Sequence, residues 1–213
     1  MAQETPALTK GERTRERILE NAADLFAEKG YTAVTMKDVC EASGLSRGGL
    51  YRYFGSTAEM MILLMRSEQQ HADLMVARER GEHKSAVKML DAFLAQHYQF
   101  MHSRRGRLEL AMNQFAQSHK AGWEENRLRI DAAVGRTADL IRFGQEEGSF
   151  RAGDPEQLAY HVIMAIGGMR TMAPLLDPGK SFLRKQLSTI RSLLLTEQAV
   201  EQIKSEGGMN HGI

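Results

Sequence analysis

The placement of proline is the feature that most constrains how this chain folds. The four prolines stand at positions 6, 155, 174 and 178, so the long segment from Pro6 to Pro155 has none in its interior. A proline within a helix costs about 3 kcal/mol, because it has no amide hydrogen to donate and its ring collides with the preceding turn. Such a gap also arises by chance, but apolar residues recur along it at helical spacing and no segment shows the alternation typical of a strand. We therefore expect an all-α protein with about nine helices.

Helix-capping residues indicate where several of these helices begin. In a capping box, the capping side chain and the side chain three positions later each accept a hydrogen bond from the other residue's free amide. Three pairs have this spacing: Thr9 with Glu12, Thr35 with Asp38, and Ser56 with Glu59. Asp154 followed by Pro155 is a further start signal, since proline at the first helical position sacrifices no hydrogen bond. Gly30 and Gly44 are expected to follow the ends of the first two helices, because glycine adopts the required backbone conformation at low cost.

The composition excludes several classes of protein. The chain of 213 residues has 42% hydrophobic and 26% charged residues, as is ordinary for a globular protein in water. No apolar run approaches the roughly 18 residues of a membrane span, and the N-terminus lacks the apolar core of a signal peptide. Cys40 is the only cysteine, so an internal disulfide is impossible, which suits a reducing compartment. We expect a cytoplasmic protein without membrane association, with a disordered arm at residues 1–8 and a flexible tail at residues 205–213.

The stretch SGLSRGGLYRYF, residues 43–54, is predicted to join two short helices through a tight turn. One helix follows Thr35, and the next begins after Ser46 and runs to about Phe54. Two such helices make a helix-turn-helix, whose second helix enters the major groove of DNA. The apolar residues expected to fix the angle between them are Val39, Ala42, Leu45, Leu50 and Phe54. A three-helix packing unit with no role in DNA binding is the alternative interpretation.

Two adjacent glycines, Gly48 and Gly49, lie within the predicted third helix. Each is expected to weaken a helix interior by about 0.8–1 kcal/mol relative to alanine. Our hypothesis is that the missing side chains let the helix backbone approach the groove, which makes Arg47 the main base-contacting residue. The local charge has the sign that DNA requires, because residues 42–58 include two arginines and no acidic residue although the net charge of the chain is only +1.

From about Thr14 to Met61 the chain resembles the DNA-binding domain of the TetR (tetracycline-repressor-like) family of transcription regulators. The stretch ILENAADLFAEKGYTAVTMKDVCEASGLSRGGLYRYFGSTAEM carries the resemblance, and GQEEGSF followed by DPEQLA adds a weaker similarity. The resemblance implies a helix-turn-helix domain over residues 9–56 and a helical effector-binding and dimerisation domain over residues 57–204. It also implies a repressor that binds a palindromic double-stranded DNA operator as a homodimer and is released by a small-molecule effector. Repression is the favoured interpretation, and activation is the alternative that the sequence leaves open.

The resemblance assigns DNA contacts to particular residues. These are Thr35, Lys37, Ser46, Arg47, Gly48, Gly49, Tyr51, Arg52, Tyr53 and Thr57. Thr35 and Lys37 are expected to contact phosphate or a base edge, and Arg47 is able to pair with guanine through two hydrogen bonds. Tyr51 and Tyr53 are expected to donate hydrogen bonds to phosphate. Packing in the core is the alternative interpretation for both tyrosines.

Two positions depart from the pattern of the family. Thr57 stands where a lysine is usual, so one charged phosphate contact is lost and the salt dependence of DNA binding should decrease by about one phosphate. Cys40 stands where a small apolar residue is usual. We interpret it as a buried small hydrophobic residue rather than a redox switch, because nothing near it in the sequence is expected to lower the pKa of its thiol.

The last helices resemble those through which subunits of the family pair as a four-helix bundle. The matching segments are residues 154–173 and 181–204. The predicted interface residues are Gly167, Gly168, Leu183, Leu187, Ile190 and Leu194. Burial of the leucine and isoleucine stripe within one subunit is the alternative. A dimer also has a physical reason of its own, because two recognition helices contact a palindrome whereas one contacts few bases.

The effector pocket is predicted from apolar and aromatic residues of the middle helices, although each such residue taken alone is more often part of the core than a ligand contact. The candidates are Phe93, His97, Met101, Met112, Phe115, Trp123, Met164 and Met169. Thirteen methionines suit an adaptable apolar cavity, so we expect an apolar or amphipathic effector. By linkage, effector and operator must weaken each other's binding equally.

Other functions are poorly supported by the sequence. We find no nucleophile elbow, phosphate-binding loop or dinucleotide fingerprint, and His97 and His102 are wrongly spaced for two metal ligands on one helical face. We therefore expect no catalytic residue, no metal and no cofactor. A non-specific architectural DNA-binding protein is a second alternative, but the nearly neutral chain offers little of the phosphate neutralisation on which such binding depends.

Overall fold

The computed structural model describes residues 9–81, 85–101, 103–176 and 179–206, so the predicted arm and residues 207–213 of the predicted tail lie outside it. Helices dominate these ranges and confirm the all-α prediction; the other regular pairing within them is a single bridge between Phe150 and Leu195. Ten helices are described: α1 (Lys10–Lys29), α2 (Met36–Ser43), α3 (Arg47–Tyr51), α4 (Thr57–Gly81), α5 (Ala86–Met101), α6 (Arg104–Ser118), α7 (Lys120–Glu146), α8 (Pro155–Leu176), α9 (Gly179–Leu194) and α10 (Glu197–Glu206). None of the described helices combines the length and the apolar character needed to cross a bilayer.

The predicted helix boundaries of the N-terminal part are confirmed by their capping hydrogen bonds. Thr9 and Thr35 each form the full capping box with the acidic residue three positions later. Gly30 follows α1 with φ of 78°, and Gly44 follows α2 in the left-handed conformation with φ of 65°. The amide of Glu59 donates to Ser56 Oγ at 3.2 Å, which caps the start of α4.

The chain divides into two compact units, which we call the first and the second unit. The first unit comprises the described residues up to Gln69 together with Arg104–Asn126, so it extends beyond the predicted 9–56 segment. Within it, α1 packs against α2 and α6 around the fully buried Phe26. Gln114 Oε1 on α6 accepts a hydrogen bond from the amide of Tyr31 at 2.9 Å, and the ring centroids of Tyr31 and Phe115 are 4.7 Å apart. Helix α6 therefore covers the end of α1.

The second unit comprises Gln70–Ser103 and the residues from Arg127 onward. Its core combines buried side chains of α5, α7, α8, α9 and α10, with Leu90 and Ile141 among the most deeply buried. Of the predicted interface stripe, Leu187, Ile190 and Leu194 lie in this core, and Leu183 is also buried. These four side chains are at most 8% exposed within one chain, so the prediction that they face a partner subunit is wrong. The spacing correctly located an apolar face, but the face is covered by the chain itself.

The predicted last helix over residues 181–204 is divided into α9 and α10. Between them, Leu195 pairs with Phe150, and the amide of Thr196 donates to the carbonyl of Ser149 at 3.0 Å. Thr196 Oγ1 then accepts from the amide of Ala199 at 3.2 Å and so caps α10. The segment after α7 thus interrupts a helix that lies more than 40 positions further along the chain.

Candidate nucleic-acid interface

The turn between α2 and α3 is fixed by local hydrogen bonds and by α1. The amide of Leu45 donates to the carbonyl of Cys40 at 3.1 Å, and Ser46 Oγ accepts from the amide of Gly49 at 3.2 Å. On α1, Asn21 Nδ2 donates to the carbonyl of Ala42 and to Ser43 Oγ, both at 3.3 Å. Asn21 was not among the predicted residues. The sequence feature that marks it is an amide side chain placed between buried positions of an amphipathic helix. These bonds tie the end of α2 to α1 and fix the turn that leads into α3.

The inward residues of the two short helices agree with the prediction except at one position. Val39, Leu50 and Phe54 are fully or almost fully buried, and Leu45 packs against them from a half-buried position. The prediction that Ala42 faces inward is wrong, because it is exposed. The buried position at the end of α2 belongs to Ser43 instead.

The outward surface of α3 presents polar and cationic side chains. Arg47 and Arg52 are exposed, Tyr51 is 46% exposed, and the guanidinium carbon of Arg47 lies 6.0 Å from the centroid of the Tyr51 ring. On α2 the side chain of Lys37 is 85% exposed and lies 3.7 Å from the carboxylate of Glu41. Arginine, lysine and tyrosine together supply the hydrogen-bond donors that phosphate and guanine accept. This surface is therefore suited to a DNA groove.

Three of the predicted contact residues already have partners within the chain. Thr35 Oγ1 donates to the carboxylate of Asp38, and this hydrogen bond is the main reason that the pKa of Asp38 is far below its usual range. Tyr53 is half-buried against the core of the first unit. Thr57 is also half-buried; its hydrogen bond with Tyr31 opposes the burial that raises the pKa of that phenol. These hydrogen bonds and contacts within the chain limit the hydrogen bonds that the three side chains can form with DNA.

The two glycines of α3 have different surroundings. A Cβ atom built on Gly48 has no atom within 4 Å, so nothing in the chain explains the absence of a side chain there. A Cβ atom on Gly49 would lie 3.3 Å from Ser46 Oγ, the oxygen that caps the helix. The hypothesis that a missing side chain lets the helix backbone approach the groove, which we call the clearance hypothesis, therefore applies to Gly48. Gly49 also protects the cap of the helix.

The predicted effector residues fall into different parts of the molecule. Met112 and Phe115 are buried in the core of the first unit, and Trp123, also in that unit, is 56% exposed. Met164 in the second unit is 68% exposed. The structure places the remaining four on α5 and α8 at the edge of the second core: Phe93, His97, Met101 and Met169.

One of these four residues, His97, forms a polar pair with Arg170, which was not among the predicted residues. Arg170 Nη2 donates to Nδ1 of His97, and the guanidinium carbon of Arg170 lies 4.1 Å from the centroid of Phe100. The ring of Phe93 meets the His97 ring edge-on, with centroids 4.3 Å apart. Burial and then the charge of Arg170 lower the pKa of His97 to about 3, so the imidazole is neutral near pH 7. Arg170 could have been noticed in the sequence, because it is a charged residue within the largely apolar segment of α8.

The predicted dimer glycines are exposed, but their neighbours on the surface are not the predicted ones. Gly167 and Gly168 have no atom within 4 Å of a built Cβ. The exposed apolar residues of α8 and α9 are Tyr160, Met164, Met172, Phe182 and Leu193. On α8, positions 160, 164, 167, 168 and 172 recur at helical spacing and so share one face.

The described residues contain no group of three or more histidine, cysteine, aspartate or glutamate side chains that is arranged to hold a metal ion. Cys40 is a half-buried free thiol that packs against the first core.

Comparison with known proteins identifies regulators of transcription. Residues 18–64 match the family model described as bacterial regulatory proteins of the tetR family. The helix-turn-helix transcriptional regulator YfiR of Bacillus subtilis, itself uncharacterized, is 32% identical over 158 residues, which cover 71% of this chain and 76% of the relative. The transcriptional repressor KstR2 of Mycobacterium tuberculosis is 28% identical over 155 residues, which cover 70% and 75%.

Solved structures share the fold. A transcriptional regulator from Saccharomonospora viridis, determined in complex with choline, superposes with a TM-score of 0.77 at 21% identity. The superposition covers 87% of this chain and 99% of that one. At this identity the similarity concerns the architecture of the helices.

Proposed function

The chain belongs to the tetR family of bacterial regulatory proteins, and on that premise we propose that it represses transcription by binding a palindromic operator as a homodimer until a small molecule releases it. It is a DNA-binding transcription regulator and not an enzyme. The observation that carries the finer proposal is the exposed surface with Arg47, Tyr51 and Arg52 on and just after α3, which follows a turn fixed by hydrogen bonds.

Base recognition is assigned chiefly to Arg47. Its exposed guanidinium follows Ser46 directly at the start of α3, and the neighbouring Gly48 adds no side chain that would keep the helix out of the groove. A bidentate arginine–guanine pair discriminates against other bases by about 1–3 kcal/mol. Tyr51, Arg52 and Lys37 supply contacts to phosphate, which orient the helix without specifying sequence.

We assign dimerisation to the exposed face of α8 together with the exposed apolar residues of α9. Large apolar side chains such as Met164 and Leu193, 68% and 66% exposed in one chain, are the residues that an interface would remove from water. The absence of side chains at Gly167 and Gly168 permits a partner helix to approach closely. This face replaces the leucine stripe as the proposed interface.

The effector is assigned to the second unit, near Phe93, His97, Met101 and Met169. The similar regulator that was solved with choline supports the proposal that this chain also responds to a small molecule.

Helix α4 contributes residues to both units, and a shift of this helix would alter the spacing of two recognition helices in a dimer. A ligand that binds the released state more tightly lowers operator affinity by the same factor that the operator lowers ligand affinity.

Selection from a random DNA library with the full-length protein tests this function. We expect enrichment of an inverted repeat, and we expect Arg47→Ala to weaken binding to it by roughly 30-fold or more, because the homodimer loses one bidentate pair of about 1–3 kcal/mol in each half-site. Arg142→Ala is the matched control, because Arg142 is an exposed arginine of α7 that pairs with Asp139 at 2.9 Å. A library without any enriched inverted repeat would reject the proposal.

A further inference from the structure

The imidazole of His97 has one nitrogen that lacks a partner. A guanidinium only donates hydrogen bonds, so the bond from Arg170 requires Nδ1 of His97 to be the acceptor. The proton of the neutral ring is therefore on Nε2. Nε2 is buried and has no hydrogen-bond partner in the described structure. A buried donor without an acceptor is rare in folded proteins and calls for an explanation.

The groups around this donor favour a negatively charged acceptor. Arg170 brings a positive charge directly to the ring, and the guanidinium carbon of Arg184 lies 5.1 Å from the centroid of the neighbouring Tyr98. Three acidic residues of the second unit are paired with other arginines: Asp91 with Arg191, Asp73 with Arg136, and Asp139 with Arg142. The surroundings of His97 thus supply hydrogen-bond donors and positive charge. A carboxylate forms stronger hydrogen bonds with such groups than an uncharged amide does.

The remaining surroundings are apolar. Phe93, Phe100, Met101 and Met169 are half-buried, so each retains surface for further contacts. Aromatic rings and methionine thioethers accommodate flat or irregular apolar groups. A molecule that satisfies both parts of the site has an acidic head and an apolar body.

We propose that the effector is a small carboxylic acid with an aromatic or aliphatic body, whose carboxylate accepts the hydrogen bond of His97 Nε2 on the side of the imidazole away from Arg170. This inference rests on the proposed function, because it specifies the chemical class of the molecule that releases the operator. The carboxylate accepts the hydrogen bond that His97 leaves unused, and the body packs against Phe93 and Met169. The neutral imidazole acts as a donor, and the arginine supplies the charge.

The test uses the full-length protein and four acids, each paired with its uncharged primary amide: benzoate, phenylacetate, cinnamate and octanoate. Thermal unfolding and calorimetric titration measure their binding. We expect at least one acid to raise the unfolding temperature while its amide does not. His97→Phe, which keeps an aromatic ring but removes the donor, and Arg170→Gln should each weaken that acid by about tenfold or more. Arg142→Gln removes an equivalent charge elsewhere in the second unit and should leave the affinity unchanged.

Three results would overturn the inference: no acid binds, amides bind as tightly as acids, or the affinity for the acid survives both His97→Phe and Arg170→Gln. Circular dichroism of each variant establishes that it is folded, and binding of the selected operator without any acid establishes that the first unit is intact. Failure to find an operator would reject the proposed function even if acids bind at His97. Operator binding without acid binding would reject only the carboxylate assignment.

Discussion

Gly48 is one of the glycines whose missing side chain no contact within the chain explains. Nothing lies within 4 Å of a Cβ built there, and the residue is exposed on the helix that carries Arg47. A glycine that serves the packing of the protein would have a close neighbour, as Gly49 has in Ser46. Because Gly48 lies on the helix that carries Arg47, our hypothesis is that its open space is filled by DNA.

Gly48→Ala should stabilise the protein and weaken operator binding. Alanine is the better helix former by up to about 1 kcal/mol, and its methyl group would occupy the space next to the bases. Chemical denaturation and operator titration measure the two effects. Gly135→Ala is the matched control, since Gly135 lies exposed within α7 and also has no atom within 4 Å of its built Cβ. Unchanged operator affinity for Gly48→Ala would show that the clearance hypothesis is wrong.

The beginnings of the helices were predictable because capping depends on residues three or four positions apart. Thr35 with Asp38 and Asp154 with Pro155 contain their own start signals, and the structure confirms both. The break between α9 and α10 has no comparable local signal. It depends on the carbonyl of Ser149, which accepts from the amide of Thr196, and no spacing within residues 181–204 reveals that bond.

Thr196 is expected to stabilise this break through its hydroxyl group. Its Oγ1 accepts from the amide of Ala199 and lies 3.2 Å from the carbonyl oxygen of Gly148. Thr196→Val should lower the free energy of unfolding by about 1–2 kcal/mol, because the amide loses its cap. Thr189→Val is the control, since Thr189 Oγ1 donates only to the carbonyl of Lys185 in its own helix. Equal effects of the two substitutions in denaturant titrations would contradict this role.

The sequence located the apolar faces of the C-terminal helices but not what covers them. The spacing of Leu183 and Leu187 shows that they share a face of α9, and it is equally compatible with a partner subunit and with the chain's own α5. The same limit applied to Met112 and Phe115, whose apolar character suited a pocket and whose actual neighbours are in the first core. The helix-turn-helix itself was more predictable, because its family pattern is dense and local.

Met164→Glu should disrupt the homodimer. The side chain is exposed on the face of α8 that we assign to the interface, and a charge buried there without a partner is costly. Analytical ultracentrifugation should show a shift from dimer to monomer at micromolar concentration, and operator affinity should decrease with it. Leu128→Glu is the matched control, because Leu128 is 58% exposed on α7 and lies outside the proposed interface. A dimer that persists in Met164→Glu would contradict the assignment.

The contribution of α6 to the first unit has a consequence for building hybrid regulators. Phe115 and Gln114 of that helix cover Tyr31 at the end of α1, although they are separated from it by more than 80 positions in the sequence. A hybrid that joins only residues up to Gln69 to the helices of another regulator would expose Tyr31 and the adjoining apolar surface to water. Transfer of this protein's operator specificity to another scaffold therefore requires two separate gene segments, one for the N-terminal helices and one for residues 104–126.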